Sequence, residues 1–150
     1  YLPSARNFGL EQVPDHAARY ARADEFTQVV KALWNSWEED AVVGDAASGR
    51  FIDDARVHPI AHRGEHFQVQ GPLNLPRTPQ GQPVLVQAGG SGDGRELAAR
   101  HAEAVFTAQM EKKTAQDFYT DLKALAAIKP CGDFCCGTIN GIKAFGKFAW

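Results

Sequence analysis

Four glycines and a serine share one short loop, which carries the strongest chemical signal of the chain. The loop follows an apolar run, precedes a helical pattern, and contains Gly89, Gly90, Ser91, Gly92 and Gly94. Glycine lets a backbone turn sharply and approach a ligand closely, because nothing projects from its Cα atom. The next helix presents unpaired N–H groups and the positive end of its dipole, which suit a phosphate. The loop predicts a phosphate-bearing ligand, with a ligand-free connection as an equal alternative on this motif alone.

The loop does not match the two best-known phosphate motifs. No Gly-Lys-Ser/Thr follows it, as a P-loop requires, and Arg95 stands where G-x-G-x-x-G needs its last glycine. Arg95 itself has two equal interpretations. It either adds positive charge beside the phosphate or forms an ion pair with a nearby acid on the helix surface.

A histidine and a tyrosine open the first long helical pattern. His16 and Tyr20 are four residues apart, so they are neighbours on a helix surface, at the edge of its apolar stripe. Pro14 suits the first turn of this helix, and Asp15 suits its N-terminus. From these residues alone, a histidine bonded to the backbone is favoured over a ligand contact.

Apolar residues at helical spacing predict that this helix packs against a core. The two tryptophans among them are interpreted as core side chains rather than ligand contacts. The residues are Phe26, Val29, Val30, Leu33, Trp34 and Trp37. Residues 1–13, before the helix, are expected to form a loop, in which Asn7 fits a turn better than a ligand contact.

Strands and helices alternate in the second half of the chain. A strand is predicted over Val84–Ala88, buried on both faces because Val-Leu-Val is apolar throughout. A helix over Arg95–His101, a strand over Ala104–Ala108 and a helix over about Thr114–Ala127 follow. This order implies parallel strands with right-handed crossovers.

Residues 38–82 are expected to form a long connection with little regular structure. One short strand is predicted within it, over His62–Gln70, with Phe67 and Val69 on one face. Connections of this length are usually functional insertions. This one is therefore a candidate cover for a ligand and a candidate region for substrate selection.

Three histidines in this connection have the four-residue spacing of metal ligands on a helix: His58, His62 and His66. Pro59 and Gly64 oppose a continuous helix there. Histidines bonded to the backbone are therefore favoured, and no metal is predicted.

Three cysteines, Cys131, Cys135 and Cys136, lie close together near the end of the chain. An odd, clustered set is a poor disulfide framework, and no fourth ligand has the spacing of a zinc site. Reduced thiols, and hence a cytoplasmic location, are predicted.

The composition argues against two classes of partner. The 150 residues include 16 Lys and Arg against 18 Asp and Glu, a formal charge of −2. That balance gives no electrostatic reason to expect nucleic acid or an anionic membrane. Hydrophobic residues make up 44% and charged residues 23%, which is typical of a folded domain. No apolar run approaches the length of a membrane span.

Several ordered motifs over about residues 4–127 resemble one family. They are ARNFGL, H-x-x-R-Y-x-R-A-x-E-F, W-x-x-W-E-x-D-A, GEHF-x-V-x-GPLN, PR-x-P-Q-G-x-P-V and QAG-x-S-x-x-GRE-x-A-A. The chain resembles the flavin-dependent monooxygenases of the bacterial luciferase-like superfamily. Within this superfamily, the motifs resemble the branch of nitrilotriacetate monooxygenase component A, dibenzothiophene-sulfone monooxygenase and pristinamycin synthase.

The resemblance implies an α/β fold, a partial (β/α)8 barrel with a long insertion. Residues 1–127 would be a central part of the barrel, with the insertion at about 38–82, and residues 128–150 a divergent tail. A full barrel needs roughly 250 residues, and the chain starts at Tyr1 rather than Met. We therefore expect a fragment, with an altered reading frame as a candidate cause of its divergent end.

The resemblance also implies a two-component reaction. Reduced FMN (FMNH2) and O2 would be used to insert one oxygen atom into a small organic substrate, with reducing equivalents from NAD(P)H through a separate flavin reductase. The full-length protein is expected to be a homo-oligomer. No catalytic acid–base pair or nucleophile is evident. The flavin contacts implied by the family are His16, Tyr20, Ala88, Gly89, Gly90 and Ser91.

Two alternatives stay open from the residues. The chain is a truncated, non-catalytic remnant of such an enzyme, or a phosphate-binding barrel enzyme that uses no flavin. The identity of the substrate does not follow from these residues, because relatives accept chemically unlike molecules.

Overall fold

A computed structural model describes residues 2–128 and 143–146 of the chain. The chain divides into two compact units, Tyr1–Gln82 and Pro83–Trp150. Each unit is described below by itself. The cysteine cluster and most of the expected tail lie outside the described residues.

The first unit begins with a short helix, α1 (Leu2–Arg6). The expectation of a loop over residues 1–13 is therefore wrong at its start, because Pro3 occupies a first-turn position, where a helix tolerates proline. The turn expected at Asn7 is confirmed, since the N–H of Phe8 and the N–H of Gly9 bond back to α1 carbonyls.

The long helix α2 (His16–Trp34) starts two residues after Pro14, which was expected in its first turn. The carboxylate of Asp15 accepts a hydrogen bond from the N–H of Ala18 at 2.7 Å, so Asp15 is the N-cap. Pro14 precedes this cap and does not lie in the first turn.

The apolar stripe of α2 is less buried than its spacing predicts. Val29 is the buried residue of the helix, whereas Phe26 is 54% exposed. Trp37 lies beyond the helix end and forms an isolated bridge with Val57. Its indole N–H donates to the carbonyl of Leu73 at 2.7 Å. The tryptophans are half-buried, so the expected core role is only partly correct.

The segment after α2 has more regular structure than expected. Strands β1 (Val42–Asp45) and β2 (Arg50–Ile52) pair antiparallel. A 3-10 turn follows at Asp54–Arg56. Strands β3 (His62–Arg63) and β4 (Gln68–Val69) form a second antiparallel pair. The single strand expected over His62–Gln70 is thus a small hairpin, because its middle residues form the turn.

The second unit is a parallel sheet with two helices. Strands β5 (Val86–Ala88), β6 (Ala104–Thr107) and β7 (Lys143–Gly146) lie in that order, and both pairings are parallel. Helix α3 (Gly92–His101) connects the first two strands, and α4 (Lys112–Ile128) follows β6. The alternating order and the parallel pairing read from the sequence are confirmed.

The core of this unit lies between the sheet and its helices. Its buried side chains are Ala98, Val105, Phe118 and Leu122. Phe118 and Leu122 are one turn apart on α4, so the same helix face carries both. Val86, by contrast, is 63% exposed, and Phe106 is 46% exposed. The prediction of a strand buried on both faces is wrong for the described residues, because helices cover only one face of this sheet.

Candidate functional site

The loop between β5 and α3 ends in a helix cap. Ser91 has φ −69° and ψ 162°, and its Oγ accepts a hydrogen bond from the N–H of Gly94 at 3.1 Å. Serine is a favoured N-cap because it satisfies one of the first N–H groups of a helix. The cap fixes the point where α3 begins, directly after Gly89 and Gly90.

The glycines of the loop are not needed for a left-handed turn. Positive φ angles occur at Gly9, Gly44, Gly49, Gly71 and Gly81, and at none of the loop glycines. The backbone therefore passes from β5 into α3 without the left-handed conformation that glycine permits. A Cβ atom added to Gly90 or Gly92 would meet no atom within 4 Å. The space beside this backbone is open, which fits the second expectation, close approach of a ligand.

A cleft of about 560 Å³ borders this loop. Gly90, Gln109 and Thr114 contribute to its lining, together with Arg95 and Asp121. Because β5 and β6 are parallel, the loops that leave their C-terminal ends emerge at the same edge of the sheet. The cleft therefore combines residues from two consecutive strand-to-helix connections.

Arg95 forms the ion pair that was one of its two interpretations. Its Nη1 contacts Oδ2 of Asp121 on α4. Its Nε is buried and has no hydrogen-bond partner within the described residues. The guanidinium therefore links α3 to α4.

His16 and Tyr20 are brought together as their spacing predicts. Their ring centroids are 4.8 Å apart, with the ring planes at 43°. His16 is exposed and Tyr20 is half-buried. Both belong to the first turns of α2 in the first unit, whereas Ala88–Ser91 belong to the second unit. Their contact with flavin stays a prediction.

Sequence reasoning missed a carboxylate that joins α2 to the β3–β4 hairpin, that of Glu25. Its Oε1 lies 2.9 Å from Nε2 of His62 and accepts the N–H of Phe67 at 2.9 Å. Its Oε2 accepts the N–H of His66 at 2.8 Å. The Phe67 ring packs near Phe26, at 5.9 Å between centroids. We call Glu25 with these hairpin contacts the Glu25 anchor.

Glycine is required at position 64 by this anchor. A Cβ atom on Gly64 would lie 2.0 Å from Oε1 of Glu25 and 2.7 Å from Nε2 of His62. Glu25 and Gly64 belong to motifs that were visible in the sequence, H-x-x-R-Y-x-R-A-x-E-F and GEHF, respectively. Their proximity was not visible, because the two positions are far apart along the chain.

The three spaced histidines do not converge. His62 contacts Glu25, and His58 Nε2 lies 2.7 Å from Oε1 of Glu38. The expectation that these two rings bond to the backbone is wrong, since both rings contact carboxylates instead. The His66 ring packs edge-on near Phe67 at 6.5 Å. Over the described residues, no group of three or more His, Cys, Asp and Glu side chains could hold a metal ion.

Two carboxyl groups have shifted acidities in the first unit. The hydrogen bond from His62 holds the pKa of Glu25 below its ordinary value, against the opposing effect of burial, and the N–H groups of His66 and Phe67 add to the lowering. The hydroxyl of Ser48 likewise lowers the pKa of Asp45. Both carboxylates are stabilised in their ionised form.

Within the described residues, no helix combines the length and apolar character needed to cross a membrane.

The chain belongs to the luciferase-like monooxygenase family, whose model matches residues 2–130. This confirms the family predicted from the ordered motifs. The fold is accordingly an α/β portion of a luciferase-like (β/α)8 barrel, and the described strands do not close into a barrel.

Individual relatives agree with this assignment. The chain is 52% identical over 124 residues to N-acetyl-S-(2-succino)cysteine monooxygenase of Bacillus subtilis (strain 168), covering 83% of this chain and 28% of the relative. It is 52% identical over 126 residues to nitrilotriacetate monooxygenase component A of Aminobacter aminovorans, covering 84% and 28%. The second match confirms the branch indicated by the motifs.

Among solved structures, the chain resembles a riboflavin lyase with modified FMN and its substrate riboflavin. The TM-score is 0.84 at 34% identity, over 96% of this chain and 31% of that protein. The chain thus spans between a quarter and a third of the length of the relatives named here.

Proposed function

We propose that this chain is part of a two-component, FMNH2-dependent monooxygenase that inserts one oxygen atom from O2 into a small organic substrate. The observation that carries the proposal is the open backbone of Gly90 and Gly92 at the start of α3, where an added Cβ would meet no atom within 4 Å. Family membership and the flavin in the related lyase structure support it.

The loop residues fit the phosphate end of FMN. Backbone N–H groups at Gly89, Gly90 and the first turn of α3 would bind its phosphate, because the positive end of the helix dipole and the N–H groups that the Ser91 cap leaves unbonded favour an anion. Ala88 is the last residue of β5 and directly precedes these N–H groups. Ser91 would add its hydroxyl beside its capping role.

His16 and Tyr20 would contact the same cofactor through their adjoining rings. The chemistry that reduced FMN supplies when it is bound is its own reaction with O2. The protein's own part would be to position the flavin and exclude water from it. Residues 38–82 would cover the site and select the substrate, within a barrel portion of residues 1–127 and ahead of a divergent tail of 128–150.

A separate NAD(P)H-dependent flavin reductase would supply the reduced flavin. The name component A of one relative supports a second component in this branch. We also propose a homo-oligomeric full-length protein in the cytoplasm.

The loop assignment is tested by separating the cap from the anion site. Ser91→Asp keeps a good N-cap but puts a negative charge beside the phosphate. We expect the thermal unfolding of this variant to be unchanged. Its affinity for FMN, measured by fluorescence titration of this chain, should be weaker by at least about tenfold. Gly90→Val, which fills the open space, should weaken FMN binding similarly. Unchanged affinity in both variants would remove the loop from the site.

The second candidate is a non-catalytic remnant. It is favoured by the apolar sheet face in the second unit, where Val86 and Phe106 are 63% and 46% exposed, and by Val84 just before β5, which is 58% exposed. Such a face promotes association. Static light scattering and FMN titration of this chain separate the two cases. A monomer that binds FMN tightly contradicts the remnant, and aggregates that bind no FMN support it.

A further inference from the structure

We infer that Gln109 is a second phosphate-contact residue of the cleft, supplied by the connection between β6 and α4. The inference rests on the proposed function, since it names a further residue for the anionic end of the same ligand. It depends on the geometry of the second unit alone.

Gln109 stands at the same edge of the sheet as the glycine loop. In the parallel register, Ala88 at the end of β5 pairs with Phe106 in β6. Strand β5 ends at Ala88 and β6 ends at Thr107, so Gly90 and Gln109 each follow the end of their strand by two residues. Both residues line the cleft of about 560 Å³. A ligand held by the glycine loop would thus lie within the space that Gln109 borders.

The carboxamide of Gln109 is held in place and has a donor to spare. It lies 3.0 Å from Oγ1 of Thr107, the last residue of β6, and the side chain is half-buried. If the amide nitrogen donates to Thr107, its second N–H is left over; if the amide is turned, both N–H groups are left over. In either orientation, at least one N–H has no partner within the described residues.

The backbone beside it offers a second donor. Over the described residues, the N–H of Gly90 takes part in no hydrogen bond. Two N–H donors from neighbouring strand ends, bordering one open space, suit the oxygen atoms of a phosphate.

The carboxylates of the cleft do not oppose an anion there. Asp121 is paired with Arg95, and Asp117 is paired with Lys113 at 3.2 Å. Thr114 donates its hydroxyl to the carbonyl of Glu111 at 2.9 Å. The charges along α4 are therefore balanced locally. Among the residues that line the cleft, Gln109 is the neutral side-chain donor nearest in sequence to the end of β6.

A charge-matched pair of variants tests the inference. Gln109→Glu replaces the donor with a carboxylate of the same shape, which repels a phosphate. Gln116→Glu adds the same charge on the exposed surface of α4, at a residue that does not line the cleft. Inorganic phosphate, FMN and riboflavin are titrated into the 15N-labelled chain and each variant, following the Gly90 amide and the side-chain amide of Gln109 by NMR.

We expect phosphate to shift both signals in the unaltered chain. Gln109→Glu should weaken the binding of phosphate and of FMN about tenfold or more relative to Gln116→Glu. The binding of riboflavin, which has no phosphate, should be unchanged. If Gln109 has only a structural role, Gln109→Glu would weaken the binding of all three ligands and lower the melting temperature.

The outcomes separate this inference from the proposed function. Equal FMN and phosphate affinity in the two variants overturns the role of Gln109 and leaves the flavin function standing. Phosphate binding that Gln109→Glu weakens, without any binding of FMN or riboflavin, supports Gln109 as an anion contact and overturns the flavin function. Binding of neither phosphate nor FMN overturns both.

Discussion

The Glu25 anchor and the Ser91 cap both use a side-chain oxygen to bind backbone N–H groups, but over very different distances along the chain. Ser91 bonds Gly94, three residues away. Glu25 bonds His66 and Phe67, 41 and 42 residues away. A local cap needs only its own turn to form. A distant anchor requires that the hairpin and α2 already lie side by side.

Glycine shows the same contrast. Gly64 is confined, since an added Cβ would lie 2.0 Å from the Glu25 carboxylate. Gly90 is open, since an added Cβ would meet no atom within 4 Å. One glycine is therefore required by the protein's own packing. The other leaves room that the protein itself does not fill, which is the expected property of a ligand-binding backbone.

The largest expected effect lies in the core beneath the loop. Leu122 is fully buried against Val105 and Phe118. Leu122→Ala should cost about 3 kcal/mol of unfolding free energy, because it leaves a cavity between sheet and helix. Urea unfolding followed by far-UV circular dichroism measures it. Met110→Ala, at a side chain 92% exposed, is the control and should change less than about 0.5 kcal/mol.

The next effect breaks the distant anchor through its glycine. Gly64→Ala forces the Glu25 carboxylate away from His62, His66 and Phe67, and should cost about 2 kcal/mol. Urea unfolding followed by the fluorescence of the half-buried tryptophans of the first unit measures it.

Gly90→Ala is the matched control for Gly64→Ala and sharpens the contrast between confined and open glycines. It should leave stability within about 0.5 kcal/mol, because nothing opposes its Cβ. Equal losses in the two variants would contradict this contrast.

A smaller effect is expected from the local cap. Ser91→Ala removes the acceptor of the Gly94 N–H and should cost about 1 kcal/mol, whereas Ser91→Gly should cost only a few tenths. Far-UV circular dichroism under urea reports both values. If the two variants are equally destabilised, the hydroxyl is not acting as a cap.

The smallest effect is a pH dependence of the distant anchor. The pKa of Glu25 is lowered in the folded chain from an unfolded value of 4.5. The stabilisation that the Glu25 carboxylate provides is therefore complete above pH 4.5 and is lost as the pH falls towards the folded pKa. Tryptophan-monitored unfolding should therefore weaken on acidification from pH 6 to pH 3.5 by more in the unaltered chain than in Glu25→Gln. Parallel pH profiles would show that Glu25 does not contribute to this loss.

The elements with local signals were readable. The spacing of His16 and Tyr20 predicted their contact, and alternating apolar and helical runs predicted β5, α3, β6 and α4 with parallel strands. The burial of individual side chains was predicted poorly from the sequence. Val86 looked like a two-sided core residue, yet it is exposed, because its sequence could not show that only one face is covered.

The candidate site divides in the same way. The glycine loop was recognised from neighbouring residues, whereas the cap at Ser91 was missed, because the helix was predicted to begin at Arg95 and begins at Gly92. The pairing of Arg95 with Asp121 was one of two equal possibilities, and contact between α3 and α4 decided it. Gln109 gave no signal by itself, because its place beside Gly90 depends on the parallel register of two strands.

By itself, the sequence determined the family, the alternation of strands and helices, and the glycine loop before α3, since these depend on motifs and on periodicities within a few residues. Tertiary structure alone decided which carboxylate holds the β3–β4 hairpin, which face of the sheet is covered, and which side chains border the cleft. Such contacts join residues that are distant along the chain. Their free energy exists only once packing brings the partners within hydrogen-bond distance.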